Sequence, residues 1–280
     1  MAFFTALLQP DNAFLRLSLA VGLAASIAFG IIGTYVVTRR ISYLAGAVSH
    51  CVLGGIGLSL WLASTGVMKG VDPVYGALAA ALVAAFIIGR FGRRPGQREE
   101  TMIGATWAIG MAIGIIFIDL TPGYFDLASY LFGDILLVSY RDLARILALD
   151  LVIILFAAGF YHQLLAVCFD EEFAKLRGLK VEFYYQALLA LTAVTVVLMI
   201  RVVGIVMVIA MLTLPAATGA LFARRLVEMM LLAILFAAIA ALGGLTLSYN
   251  LNLSSGPVIV MVSGIIYLTA AGGRKLLARN

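Results

Sequence analysis

Nine apolar runs, each near the length needed to cross a bilayer, follow one another through this chain with short polar joints between them, at roughly 14–38, 41–63, 74–91, 101–119, 143–162, 183–200, 202–222, 227–247 and 255–273. A helix needs about 20 apolar residues to cross the hydrocarbon core, and an ionisable group there is expensive. With 64% of the 280 residues hydrophobic and 12% charged, no stretch is polar enough to form a separate soluble domain. The chain therefore reads as all-α, a polytopic membrane helix bundle forming one domain over residues 1–280. About nine spans are expected; eight crossings plus a re-entrant piece is the alternative. Lipid is its first partner.

The net charge of +5 matters through its placement. Arg39–Arg40, Arg90 with Arg93, Arg94 and Arg98, Lys175 with Arg177 and Lys180, Arg224–Arg225, and Arg274 with Lys275 and Arg279 hold most of the 19 basic residues and fall in alternate joints. The positive-inside rule puts those joints in the cytoplasm, the amino terminus outside and the carboxyl terminus inside, in the cell membrane. That rule accounts for the basic charge, so nucleic acid is not needed as a partner. Met1 to Gln9 lacks the basic start of a cleavable signal, so the first span is expected to stay. Cys51 and Cys168 form neither a disulfide framework nor a metal pair. The chain has no Gly-x-Ser-x-Gly elbow, His-Glu-x-x-His pair or Walker phosphate loop, so it is read as a non-enzyme with no bound cofactor.

Residues 169–178, Phe-Asp-Glu-Glu-Phe-Ala-Lys-Leu-Arg-Gly, break the apolar pattern. Asp170, Glu171 and Glu172 fall in a first helical turn, Lys175 and Arg177 in a last turn, and Gly178 where a left-handed cap belongs. Phe169, Phe173 and Leu176 recur at i, i+4 and i+7, which makes one apolar face. On the cytosolic side such a face suits a partner protein; a helix packed on its own bundle is the alternative.

The second span carries Gly46, His50, Gly54 and Gly57 at helical spacing, an imidazole on a face otherwise stripped of side chains. That face reads as a groove holding one ligand. His50 is either a ligand for a transition metal or a histidine bonded to a neighbouring helix's carbonyl. The outer segment between spans four and five holds Asp119, Asp126, Asp134 and Asp142 among aromatics, where acids would concentrate a cation; Asp142 also suits a helix cap. Asp150 could pair with Arg145 or line the cavity. Gly110-x-x-x-Gly114 reads as helix packing. Pro215, in Leu214-Pro215-Ala216-Ala217-Thr218-Gly219, frees a carbonyl one turn earlier and bends its helix.

Together these pieces resemble the permease subunits of bacterial ABC importers for zinc, manganese and related metals. The resemblance runs from about Gly33 to Gly273. It rests on Arg39-Arg40-Ile41-Ser42-Tyr43, Ser49-His50 with the following glycines, Tyr130-Leu131-Phe132-Gly133-Asp134, Phe169-Asp170-Glu171-Glu172-Phe173-Ala174 with Gly178, Val203-Gly204, Leu214-Pro215-Ala216-Ala217-Thr218, and Ser255-Gly256-Pro257. It implies a type II-like ABC importer permease working as a homodimer, with a cytosolic ABC ATPase below and an extracytoplasmic metal-binding protein above. Residues 169–178 would contain the coupling helix, with Phe169, Asp170, Glu171, Phe173, Ala174 and Gly178 facing the ATPase. His50 would be a transient ligand for zinc or manganese, with Asp119, Asp126 and Asp134 as further candidates, and Gly46, Gly54, Gly204 and Pro215 as gating or packing positions. Two departures stand out: many relatives carry aspartate where this chain has Gly46, and zinc importers often carry a fourth-span histidine where this chain reads Ala108 beside Trp107. A permease for metal chelates such as siderophores or cobalamin is the nearest alternative, and a proton-coupled secondary transporter a more distant one.

Overall fold

The computed structural model describes residues 2–9, 12–67, 72–92, 99–123, 133, 135 and 138–277. Every regular element among them is helical: α1 (Ala2–Leu8), α2 (Ala13–Thr38), α3 (Ser42–Ser64), α4 (Pro73–Phe91), α5 (Glu99–Asp119), α6 (Tyr140–Gly159), α7 (Tyr161–Phe169), α8 (Glu171–Leu176), α9 (Val181–Val203), α10 (Ile205–Phe222), α11 (Leu226–Leu251) and α12 (Ser255–Leu277).

By continuous apolar length, seven segments among the described residues are long enough to cross a membrane, or eight when the broken pair α6–α7 counts as one. Val181–Phe222 is one of the seven, at 42 residues. At about 1.5 Å per residue it would reach ~63 Å, twice the hydrocarbon core. Gly204, at φ 79°, interrupts it and leaves helices of 23 and 18 residues, each long enough alone. The sequence reading placed that joint at residues 200–202; the structure places it at Gly204. Glycine takes positive φ without steric cost, so the break needs no polar loop and hydropathy runs through it.

Polar residues set three other boundaries. Asp72 accepts from the Val74 amide at 3.0 Å and Pro73 supplies the first turn of α4. Ser139 and Asp142 form a capping box on α6: the Asp142 carboxylate accepts from the Ser139 amide at 3.1 Å and its hydroxyl at 2.7 Å. The Glu228 carboxylate accepts from the Arg224 and Arg225 amides at the start of α11.

The chain packs as two compact units. In the first, made of Met1–Arg40, Ala128–Tyr161 and Met199–Asn280, α2 packs against α6, α10 and α11, and α12 packs against α10 and α11. Small residues bring these helices together. Gly33 lies against the Leu212 carbonyl, and a Cβ at Gly219 would lie 2.9 Å from the Met229 carbonyl oxygen. Two buried threonines donate within their own helices, Thr34 to Gly30 O at 2.7 Å and Thr218 to Leu214 O at 2.8 Å. Pro215 is buried inside α10, which continues to Phe222. Gly133, at φ 56°, meets Gly204 backbone to backbone with no room for a Cβ between them.

The second unit is Ile41–Leu127 with His162–Leu198. Here α3 packs along α4 and α5. A Cβ at Gly54 would lie 2.9 Å from Gly110 O, and one at Gly57 2.7 Å from Gly114 O. The Gly110-x-x-x-Gly114 pair is thus spent inside the chain, on the glycine face of α3. At the other side α9 is tied down by Gln186, which donates to Ala85 O at 3.2 Å, and by the Tyr185 hydroxyl on the Glu99 carboxylate.

Candidate functional site

The glycine contacts fix how α3 and α5 lie together. Residue 54 stands opposite 110 and 57 opposite 114, so the helices run parallel, and the indole of Trp107, one turn before Gly110, reaches Gly46, two turns before Gly54. The expected open groove is therefore filled by α5 along Gly54 and Gly57. What remains is a niche around His50. The Trp107 indole stacks on the imidazole, with ring centroids 4.8 Å apart and planes 18° apart. A Cβ at position 46 would lie 2.7 Å from Cζ3 and 2.9 Å from Cη2 of that indole. Only glycine leaves the space the indole occupies.

The His50 Nδ1 is buried without a hydrogen-bond partner. A buried ring nitrogen is normally paired, so an unpaired one marks a place where a proton or metal could be received. Next to it Cys51 is engaged: its Sγ donates to Thr106 O across the α3–α5 seam at 3.2 Å. Among the described residues no three His, Cys, Asp or Glu side chains converge to hold a metal. The arrangement offers one imidazole with an aromatic cover.

Among the described residues the expected acids do not gather with His50. Asp119 is exposed at the end of α5. Asp126 and Asp134 lie outside the described residues. Asp142 caps α6 and draws Arg145, whose Nη1 lies 3.2 Å from Oδ1, so Arg145 is not the partner of Asp150. Asp150 is 3% exposed inside the first unit, and neither oxygen has a hydrogen-bond partner.

The second candidate site is the short charged helix. The regular helix α8 covers Glu171–Leu176, shorter than the expected 169–178, because Phe169 ends α7 and Asp170 is the N-cap. The Asp170 carboxylate accepts from the Phe173 amide at 2.9 Å. At the other end Gly178 takes φ 76°, and the Leu179 amide donates back to Ala174 O at 3.1 Å, closing the helix sharply. Ala174 is fully buried, whereas Phe169, Phe173 and Leu176 are 68%, 48% and 87% exposed. The Arg177 guanidinium covers part of the Phe173 ring at 4.9 Å. Beneath lies a cleft of about 310 Å³ lined by His162, Gln163, Ala166, Phe173, Ala174 and Arg177, with Leu179 at its edge. Phe173 and Leu176 of the capped helix, with Phe169 at the end of α7, thus leave three large apolar side chains in the open.

Sequence reasoning missed Trp107 as a participant, noting it only as the neighbour of Ala108. The available signal was size: one of only two tryptophans stands on a helix that otherwise meets its partner with glycines. The Tyr185–Glu99 tie also escaped notice, since nothing local connects residues 86 positions apart.

Residues 11–272 match the model of the ABC 3 transport family. The chain is 40% identical over 263 residues to an uncharacterised membrane protein of Synechocystis, covering 94% of this chain and 91% of that one. It is 34% identical to a manganese transport system membrane protein of Listeria monocytogenes, over 96% of this chain and 93% of that protein. Among solved structures it superposes on PsaBC from Streptococcus pneumoniae with a TM-score of 0.82 and 33% identity, covering 96% and 94% of the two chains. The chain belongs to the ABC 3 transport family: a multi-pass membrane permease that acts as a transport component and not as an enzyme.

Proposed function

We propose that this chain is the membrane subunit of an ATP-driven importer of divalent transition-metal ions, working as a homodimer. A separate cytosolic ABC ATPase docks on the apolar surface formed by Phe169 at the end of α7 and by Phe173 and Leu176 of α8, and an extracytoplasmic metal-binding protein delivers the ion on the other side. The observation that carries the reading is the unpaired imidazole of His50, held inside a long apolar helix of a chain whose relatives include a manganese transport permease. An intramembrane ionisable group is expensive to keep and is retained where it meets a passing ion or proton. One weak ligand is enough for passage, because an ion held tightly would not leave.

The named relative supports Mn²⁺, and nitrogen without a neighbouring carboxylate supports Zn²⁺. Both are taken as substrates. In cells lacking their own importers and supplied with the complete transporter, His50→Ala should lower Mn²⁺ and Zn²⁺ uptake at least about tenfold, a loss of ~1.4 kcal/mol, at unchanged membrane level. Unaltered uptake, or uptake blocked only by a metal chelate and not by the free ion, would remove the reading. ATP arrives through the partner, so Phe173→Glu should lower recovery of the ATPase with the permease; full recovery would contradict the docking role of α8.

A further inference from the structure

We infer that Trp107 is a specificity-determining residue: by occupying the space above Gly46 it denies the His50 site a second ligand from α3 and keeps it a lone-imidazole site that favours zinc over manganese. The inference rests on His50 being a metal ligand and goes beyond it. Four observations converge. Position 46 lies one helical turn before His50, on the same face of α3, a place from which this helix could add a donor beside the imidazole. That place is filled by the indole, which would stand 2.7 Å from any Cβ there. The same indole lies flat on the imidazole and covers one of its faces. The ring nitrogen Nδ1 is buried and unpaired, so no protein group already uses it.

The chemistry follows from the donor set. Manganese prefers carboxylate, carbonyl and water oxygens, whereas zinc accepts imidazole readily. A niche that admits one nitrogen and excludes an oxygen ligand gains little from Mn²⁺ and more from Zn²⁺. The apolar indole also keeps water from one side of the imidazole, which withholds the oxygens that manganese would bring with it.

The test uses the complete transporter in cells, with Mn²⁺ and Zn²⁺ uptake measured side by side. Gly46→Asp alone should lose uptake of both ions, since the new side chain and the indole claim the same space. Gly46→Asp with Trp107→Ala should regain uptake and raise the Mn:Zn ratio about tenfold over the original protein. Gly46→Leu with Trp107→Ala, which refills the space without a ligand, should regain uptake at the original ratio. Equal ratios in the two double variants would make Trp107 a packing residue and overturn the inference, while leaving the proposed function standing. His50→Ala without effect in the original protein would instead remove the reading beneath it.

Should the double variants fail to reach the membrane, a purified Trp61→Phe protein leaves Trp107 as its only tryptophan. Zn²⁺ should then change Trp107 emission, His50→Ala should abolish that change, and Mn²⁺ should need at least about tenfold higher concentration to produce it. Equal response to both ions, or none to Zn²⁺, would overturn the inference.

Discussion

The parallel seam between α3 and α5 makes a quantitative demand on Gly114. An alanine Cβ there would lie 2.7 Å from the Leu53 carbonyl carbon and 2.8 Å from the Gly54 nitrogen. Ordinary carbon contacts need about 3.5–4.0 Å. Both neighbours are backbone, so no side chain can rotate away and the helices must part by ~1 Å where they are closest. Overpacking of this kind costs about 1–3 kcal/mol. Gly104 lies on the same helix, exposed, with nothing within 4 Å of its would-be Cβ. There alanine should stabilise, by the ~0.5–1 kcal/mol that glycine costs in a helix interior. Both substitutions share that helix gain, so the difference between Gly114→Ala and Gly104→Ala isolates the seam. At ~2–4 °C per kcal/mol for a chain of this size, Gly114→Ala should melt about 2–12 °C below Gly104→Ala. The assay is the fraction of detergent-solubilised protein that stays monodisperse after heating. If the two variants melt together, the helices are not in backbone contact at Gly114, and the register that places Trp107 over Gly46 fails with it.

Two further perturbations probe the other elements. Asp170→Ala removes the carboxylate that caps α8 at the Phe173 amide, a loss of about 1 kcal/mol; ATPase recovery should fall about fivefold, and Asp170→Asn, which keeps an acceptor, should restore most of it. Asp150→Leu replaces a buried carboxyl that has no hydrogen-bond partner, so the variant should gain about 1–3 kcal/mol and melt at higher temperature; a lower melting temperature would show that the carboxyl is held by a group of its own.

What could be read from residues alone follows the range of the interaction. The long helices were legible because hydropathy sums over some 20 consecutive positions, and the cap at Asp170 and the stop at Gly178 because capping chemistry acts within four residues. The joint was placed a few positions early, at the charged Arg201 in the last turn of α9, whereas the break is made by the positive-φ glycine that follows. The Asp150–Arg145 pairing was a plausible local guess that lost to a better local partner: Asp142 lies three residues from Arg145 and is itself held by Ser139.

The His50–Trp107 contact joins residues 57 apart and needed the register of two helices, yet that register follows from a few glycines. Once Gly54 meets Gly110 and Gly57 meets Gly114, the remaining positions are set by the rise of ~1.5 Å per residue. Trp107 starts about 4.5 Å before the level of Gly110, and His50 about 6 Å before that of Gly54, so the two stand nearly side by side. A helical side chain leans toward its own amino terminus, which carries the indole past His50 toward Gly46, about 12 Å before Gly54. Had α5 carried a smaller residue at 107, the glycine at 46 would have left a void beside the imidazole. Had α3 carried a larger one at 46, the indole could not have lain flat. Each residue makes sense only with the other: the glycine at 46 and the indole at 107 together give the imidazole an aromatic wall where α3 itself supplies no side chain.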